Sequence, residues 1–555
     1  MDETNAELPA NSEPINGISI LANVTISEQE VTDQIKILNA NKSYGHDKIS
    51  PMFLKMSGLS LIKPLTRIFN LSLSQSIFPD LWKIANVLPL HKKGPKELLS
   101  NYRSVSLLCI LGKIMERLVF KYVFNHFRDN FLISIWQSGF LPGSSTVTQL
   151  VELHYYFCKA VSEDKEIRIV FLDISKAFDR VWHNGLLFKL KRWGISGSLL
   201  EWFKSYLTDR YQRVVVNGQN SKLNKINSGV PQGSVLGPLL FLVFINDLTH
   251  VVKHCEIRLF ADDTCLFIKI NDRLVSGNLI NEDLYAIENW SKKWLVSFSA
   301  PKTESMIIGY KSNLETHPIL FLLNQPIITV KSHKHVGLWI DSNLWWHSHI
   351  NSIALKASKR LNIISYFKFK LDRKTLEQMY LLFVRPIMEY AAVVWAGAHG
   401  SDLMKLDNIQ VDAMRIVTGC TRRSNIANLY KECVCEGLHQ RRDIHILKMI
   451  FKIQNNLAPQ YLRNILPARI KDTVPYPVRN SKNFVKLNCR LKCFKQSFMP
   501  YGTELWNDLP LEIRNISTLS GFSKALKLRS IDPFKRKKQI YIHMVQDAQM
   551  LCILV

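Results

Sequence analysis

Two adjacent carboxylates, Asp262 and Asp263, sit within Arg258–Phe267 between the apolar flanks Ile257–Phe260 and Cys265–Ile270. The pattern reads as a strand, a tight turn and a second strand. Like charges at a hairpin tip raise each other's pKa unless a cation neutralises them. Hard oxygen donors of this kind suit Mg²⁺, which keeps waters and binds through a few carboxylates plus substrate phosphates. The chemistry such a pair would serve is metal-dependent phosphoryl transfer. Alone, the dipeptide is more often a plain β-turn, because Asp is a common turn former. A third carboxylate shifts that balance. Ile167–Asp173 is the strongest strand signal in the chain and ends in Asp173, where sites usually form. The competing reading of Asp173 is a helix N-cap.

The elements that must hold these acids follow from periodicity and breakers. Residues 1–25 are polar and acidic and read as a flexible lead-in. Ser27, Glu28 and Glu30 then mark a helix start. Further helices are expected over Pro51–Ser60 and on to Ser76, Gly112–Phe127 and Val147–Val161. Trp82–Pro89 is β-like and ends at His91-Lys-Lys-Gly94, whose cations at a strand end suit phosphate. Tyr211–Asn217 and Lys222–Asn227 read as paired strands. Ser228–Pro238 is a Gly-rich loop opening an apolar helix, Leu239–Leu248, and such loops present free N–H groups to a ligand. Asn281–Trp294 reads as helical, and Ser305–Tyr310, Ile327–Val330 and Lys334–Ile340 as strands. His347–Cys420 is helical and basic, suited to a phosphate backbone.

The chain has 555 residues, 72 Lys plus Arg against 46 Asp plus Glu, net charge +26 and pI about 9.6. Seven acids precede the first lysine, Lys36, so the remainder is more basic still. A folded chain this basic points to a polyanionic partner, most simply nucleic acid. The ten cysteines show no repeated spacing, so buried free thiols in a reducing compartment are expected rather than a zinc site at Cys433, Cys435, His439 and His445. No signal peptide or transmembrane run is evident. Pro533–Lys538 reads as a basic patch.

Asp173, Asp262 and Asp263, with a Gly-rich loop between them, resemble the palm of reverse transcriptases, and most closely those of non-LTR (LINE-like, Jockey-type) retrotransposons. The resemblance runs from about residue 40 to past 510. Gly45-His-Asp-Lys-Ile49 resembles an early family block, and Lys92-Lys-Gly94 with Asn101-Tyr-Arg103 the segments that hold the incoming triphosphate. Phe171–Phe178 resembles motif A, Gly229–Ser234 motif B, Phe260–Asp263 motif C and Trp294–Thr303 motif D. His335-Val-Gly-Leu338 resembles the primer grip, Leu371–Thr375 and Ile387–Trp395 the thumb, and Phe498–Pro510 the C-terminal segment. Ser104 stands where the family has Pro, Leu141 and Ser144 where it has Arg, and Ser299 where it often has Asn.

The resemblance implies an α+β right-hand polymerase fold with fingers, an antiparallel-sheet palm and a helical thumb, plus a mostly helical C-terminal region. The divisions expected are an acidic flexible segment (1–35), fingers and palm (36–345), thumb (346–425) and a basic C-terminal region (426–555). The implied activity is RNA-directed DNA polymerisation by two-metal phosphoryl transfer. Asp173, Asp262, Asp263 and the Ile174 carbonyl would hold two Mg²⁺, with Mn²⁺ as a substitute. Lys302 would act as general acid. Lys92 and Arg103 would bind triphosphate, Phe178 would screen the sugar 2′-hydroxyl, and Gln232 and Gly233 would lie near the nucleotide. The implied partners are an RNA template, a DNA primer or target DNA and deoxynucleoside triphosphates, with no membrane. The expected location is intracellular, in cytoplasm and nucleus as a ribonucleoprotein. Too few residues precede the first block for the endonuclease of a complete element. Two other readings stand beside this one: an inactive nucleic-acid-binding relic, which the missing loop arginines favour, and an RNA-copying RNA polymerase, which Phe178 disfavours.

Overall fold

The computed structural model describes residues 7–10, 13–92, 94–309, 317–433, 435–473 and 480–530. In chain order its strands are β1 (Ile84–His91), β2 (Tyr102–Leu107), β3 (Glu166–Leu172), β4 (Arg210–Val216), β5 (Gln219–Asn220), β6 (Asn224–Ile226) and β7 (Glu256–Phe260). There follow β8 (Asp263–Ile270), β9 (Glu304–Ile308), β10 (Phe321–Leu322), β11 (Gln325–Pro326), β12 (Ile328–Thr329), β13 (Ser332–His335) and β14 (Leu338–Asp341). One sheet runs β2-β1-β4-β5 with β6 on β4, and another runs β12-β9-β3-β8-β7. The second sheet is antiparallel except where β12 lies parallel to β9.

β3 sits at the centre of that second sheet, and its alternating residues enter two different apolar cores. Val170 and Leu172 join a core with the helices Ile110–Asp129 and Leu236–Ile245. Ile167, Ile169 and Phe171 join another, made with the helix Thr146–Ser162 and with helices from His347–Ser365 to Leu519–Ser530. A strand covered on both faces needs apolar residues at nearly every position, which explains its unbroken Ile-Val-Phe-Leu run. The sheet is thus a wall between two cores. Among the described residues, no helix is long and apolar enough to cross a membrane.

A buried ion pair fixes the β7–β8 hairpin to this frame. Arg258 on β7 donates from Nη2 to Glu152 Oε1 at 2.9 Å and from Nε to both Glu152 oxygens at 3.1 Å. The side chains are 2% and 1% exposed, and the guanidinium lies 3.9 Å from the centre of the Trp136 ring. Burial works against the guanidinium charge, and the Glu152 carboxylate overrides it, so Arg258 stays charged.

Several expectations need correction. The residues read as a flexible lead-in are tied down from Ile15 to Ile26. Ile15 N–H donates to Arg192 O and Leu21 N–H to Gly194 O, while Val24 and Ile26 are buried. These sparse apolar residues dock where polar composition suggested none would. The Pro51–Ser60 helix stops at Met56, ahead of Gly58 at φ +55°. The strand expected over Lys334–Ile340 is instead the β13–β14 hairpin, turned by Val336 and Gly337, both at positive φ. The helix over Asn281–Trp294 begins earlier, at Arg273, because Asp272 caps it. Cys109, Cys158 and Cys265 are buried free thiols, whereas Cys433 and Cys435 are only half-buried. Among the described residues no group of three His, Cys, Asp or Glu is placed to hold a metal ion. Lys93, Tyr310 and the Pro533–Lys538 patch lie outside the described residues.

Arg258→Met strands a buried Glu152 carboxylate and is expected to cost about 3–5 kcal/mol. Chemical denaturation reads this directly, and pairing it with Glu152→Leu should restore most of the loss.

Candidate active site

The register of the central sheet brings the acids together. Leu172 pairs with Thr264, so Asp173, the next residue after β3, comes beside Asp263 at the start of β8. Phe260 pairs with Asp263 across a two-residue turn, Ala261-Asp262, in which Ala261 takes φ +56°. Asp173 is held from its other side. Its carbonyl accepts from Ser299 N–H and Ser175 N–H donates to Ser297 O, both at 2.8 Å. This bridge pairs Ile174 with Phe298 and uses the neighbours' groups, leaving the Ile174 carbonyl directed away from it. Asp173 caps no helix, since the 3₁₀ turn that follows is preceded by Lys176.

The electrostatics are those of crowded acids. Burial and the Asp173 charge raise Asp262, with Arg103 and Lys92 offsetting part of the effect. Asp263 is exposed, yet the protein around it and the charges of Asp262 and Asp173 lift it to about 6 against an ordinary 3.8, with solvent screening what this shift is worth in stability. Lys302 is exposed, with Nζ 3.5 Å from Asp173 Oδ2. Lys92 follows β1 and Arg103 lies on β2, paired with Leu90, so both reach the acids from the first sheet. The donor chemistry suits a divalent cation, although among the described residues no group of three His, Cys, Asp or Glu is placed to hold one as it stands. The set offers hard carboxylate oxygens with excess negative charge, and too few side chains to enclose an ion without water or phosphate.

The Gly-rich loop is strapped to the turn that carries Phe178. Val230 N–H donates to Phe178 O and Gly229 N–H to Val181 O, both at 2.8 Å. The Phe178 ring stacks on Phe241 at 4.8 Å and meets Phe140 edge-on at 5.9 Å, which fixes its position. Gln232 Nε2 donates to Asp179 Oδ1 at 3.0 Å. Gly233 has φ +126°, and a Cβ there would lie 2.6 Å from Ser106 O, so the loop sits against β2 as only glycine permits. A cavity of about 930 Å³ opens beside Gln232, lined among others by Lys176, Asp179, Arg180 and Arg210.

The structure therefore brings Asp173, Asp262, Asp263, Lys302, Lys92 and Arg103 into one locus, with Phe178, Gln232 and Gly233 along its flank. Asp179 and Gln137 were missed. Asp179 follows Phe178 directly, a local signal that was available. Gln137 contacts Ala261 from far along the chain, and no local pattern marks it.

Residues 90–340 match the family described as reverse transcriptase (RNA-dependent DNA polymerase). Relatives of the chain include proteins named as RNA-directed DNA polymerases of mobile elements. It is 29% identical over 465 residues to the probable RNA-directed DNA polymerase from transposon BS of Drosophila melanogaster, covering 80% of this chain and 50% of that protein. It is 30% identical over 453 residues to the RNA-directed DNA polymerase from mobile element jockey of the same organism, covering 79% and 48%. A third relative, from transposon X-element, is 28% identical over 458 residues, covering 80% and 50%. The chain thus spans about half the length of these relatives. A truncated apo telomerase from Candida tropicalis overlaps with TM-score 0.33 and 12% identity, covering 51% of this chain and 59% of that one, a likeness too low to argue from.

Asp263 binds its proton more tightly folded than unfolded, so ionising it costs stability. That cost is absent below about pH 4 and is complete above about pH 6. In chelator at pH 7.5, Asp263→Asn should raise the Tm by about 1–2 °C, with the gain shrinking toward pH 4. Thermal unfolding across pH checks this.

Proposed function

We propose that this chain is an RNA-directed DNA polymerase that extends a primer 3′-hydroxyl with deoxynucleotides. The observation that carries this reading is the meeting of Asp173, Asp262 and Asp263 at one end of a sheet, faced by Lys92 and Arg103. The reverse transcriptase match and the named activities of the relatives support it. In this reading the β12-β9-β3-β8-β7 sheet is the palm, the β2-β1-β4 sheet belongs to the fingers, and together they fill residues 36–345. Residues 346–425 are the thumb, and 426–555 a basic C-terminal region.

Asp173 and Asp262, assisted by Asp263 and the Ile174 carbonyl, would hold two Mg²⁺, or Mn²⁺ in their place. Bound there, the ions would supply an activated 3′-hydroxyl and a neutralised triphosphate and leaving pyrophosphate. Lys92 and Arg103 neutralise triphosphate charge. Lys302 delivers a proton to the leaving group, a role that asks it to exchange Asp173 for phosphate. Phe178, wedged against Phe241, excludes a sugar 2′-hydroxyl by contact. Gln232 and Gly233 shape the floor beside the nucleotide. The partners are an RNA template, a DNA primer or target DNA and deoxynucleoside triphosphates, met in cytoplasm and nucleus as a ribonucleoprotein. Binding would rest on backbone charge and weaken with salt. Leu141 and Ser144, standing where the family has Arg, favour a second reading as a non-catalytic nucleic-acid-binding relic.

Primer extension on a poly-A template with Mg²⁺ separates the two. The first reading expects incorporation that Asp262→Ala with Asp263→Ala abolishes; the relic expects primer–template binding without incorporation. If the first holds, Phe178→Val should raise ribonucleotide incorporation relative to deoxynucleotide by about 10–100-fold.

A further inference from the structure

The segment that precedes helix Thr146–Ser162 reaches the carboxylate turn from the open edge of β7. Leu259 N–H donates to Trp136 O at 2.9 Å and Ser138 N–H to Leu259 O at 2.8 Å, so Gln137 lies as a parallel bridge beside Leu259. The Gln137 side chain, 3% exposed, runs under the turn. Its Oε1 accepts from Ala261 N–H at 2.9 Å and from Gly139 N–H at 2.7 Å. Gly139 packs so closely that a Cβ there would lie 2.3 Å from Ala261 N. Ala261 is in the left-handed region, a conformation that costs a non-glycine residue and persists only when its surroundings enforce it. Its peptide leads directly into Asp262, whose carboxylate is half-buried and repelled by Asp173. A second contact grips the same segment from outside. Ser138 Oγ lies 3.1 Å from the hydroxyl of Tyr461, a buried residue of the helix Gln460–Asn464.

We propose that Gln137 is a positioning residue that sets where Asp262 stands, and that Tyr461 brings the C-terminal region into the active site by holding the segment that carries Gln137. The inference rests on the reading of Asp262 as a cation-binding carboxylate. Mg²⁺ demands near-ideal octahedral geometry, so a small drift of one carboxylate matters. Groups that orient a ligand without touching the ion commonly change affinity by about 10–100-fold.

The test uses the full chain with Gln137→Met, which keeps the length and removes the acceptor, and Tyr461→Phe, which removes only a hydroxyl. Asp262→Ala with Asp263→Ala is the control. Mn²⁺ binding is read by the paramagnetic signal of the free ion, alongside single-nucleotide incorporation, primer–template affinity and thermal unfolding. Gln137→Met should weaken Mn²⁺ binding by about 10-fold and lower kcat by about 30–100-fold. The deoxynucleotide KM and primer–template affinity should stay within about 2-fold of wild type, because Gln137 meets neither. Tyr461→Phe should move the same two quantities in the same direction by about 3-fold. Wild-type Mn²⁺ affinity and rate in Gln137→Met would overturn the positioning role, as would a loss shared equally by primer–template binding and Tm. Wild-type behaviour in Tyr461→Phe would overturn the C-terminal part. If the Asp control leaves Mn²⁺ binding intact, the metal reading and this proposal fall together. Gln137-dependent Mn²⁺ binding without incorporation would sink the polymerase reading and leave the positioning role standing.

Discussion

Three acid groups meet at the end of one sheet, and among the described residues Lys92, Arg103 and Lys302 offset only part of their charge. Burial and mutual repulsion lift both Asp262 and Asp263 above the usual carboxylate range. Such an arrangement does not hold itself together, because every relaxation open to it moves the acids apart. Much of the surrounding frame resists that relaxation. The β3–β8 register fixes Asp173 against Asp263, the Ser297–Ser299 bridge holds the backbone at Asp173 from the far side, and the Arg258–Glu152 pair pins the hairpin to the helix behind it.

The flank is built by the same means. Gly229 and Gly233 let the loop after β6 approach two backbones closely, Asp179 on one side and Ser106 on the other. This contact makes the loop a seam between the two sheets, so the cations at the end of the first sheet and the acids at the end of the second share one register. Phe178 gains its fixed orientation from that seam and from Phe241 on the apolar helix the loop opens. Positioning by backbone contact leaves the side chains free for chemistry.

Much of this was legible because the signals were local. The unbroken apolar run before Asp173, the alternation around Asp262 and Asp263, and the Gly-Val-Pro-Gln-Gly loop each announce an element within a dozen residues. What stayed hidden was polar and remote. Gln137 with Ala261 and Arg258 with Glu152 join residues more than a hundred positions apart, and one sequence carries no trace of such pairings. Local reading also failed where context overrode composition. Leu21, Val24 and Ile26 are too widely spaced to look like an element, yet each finds a place on the folded body. Val336 looked like the middle of a strand and lies in a turn beside Gly337, which supplies the left-handed backbone.

The two-sided burial of β3 has a consequence for how the chain is made. One face of the sheet is covered by elements that flank it in sequence, and these emerge from the ribosome with it or soon after. The other face waits for residues as late as Trp506, Phe522 and Leu526. Beyond the helix Thr146–Ser162, which precedes β3, that face therefore stays uncovered through most of synthesis. Such surfaces are sticky intermediates, and this chain's excess of positive charge is well suited to keeping copies of it apart until the last helices arrive.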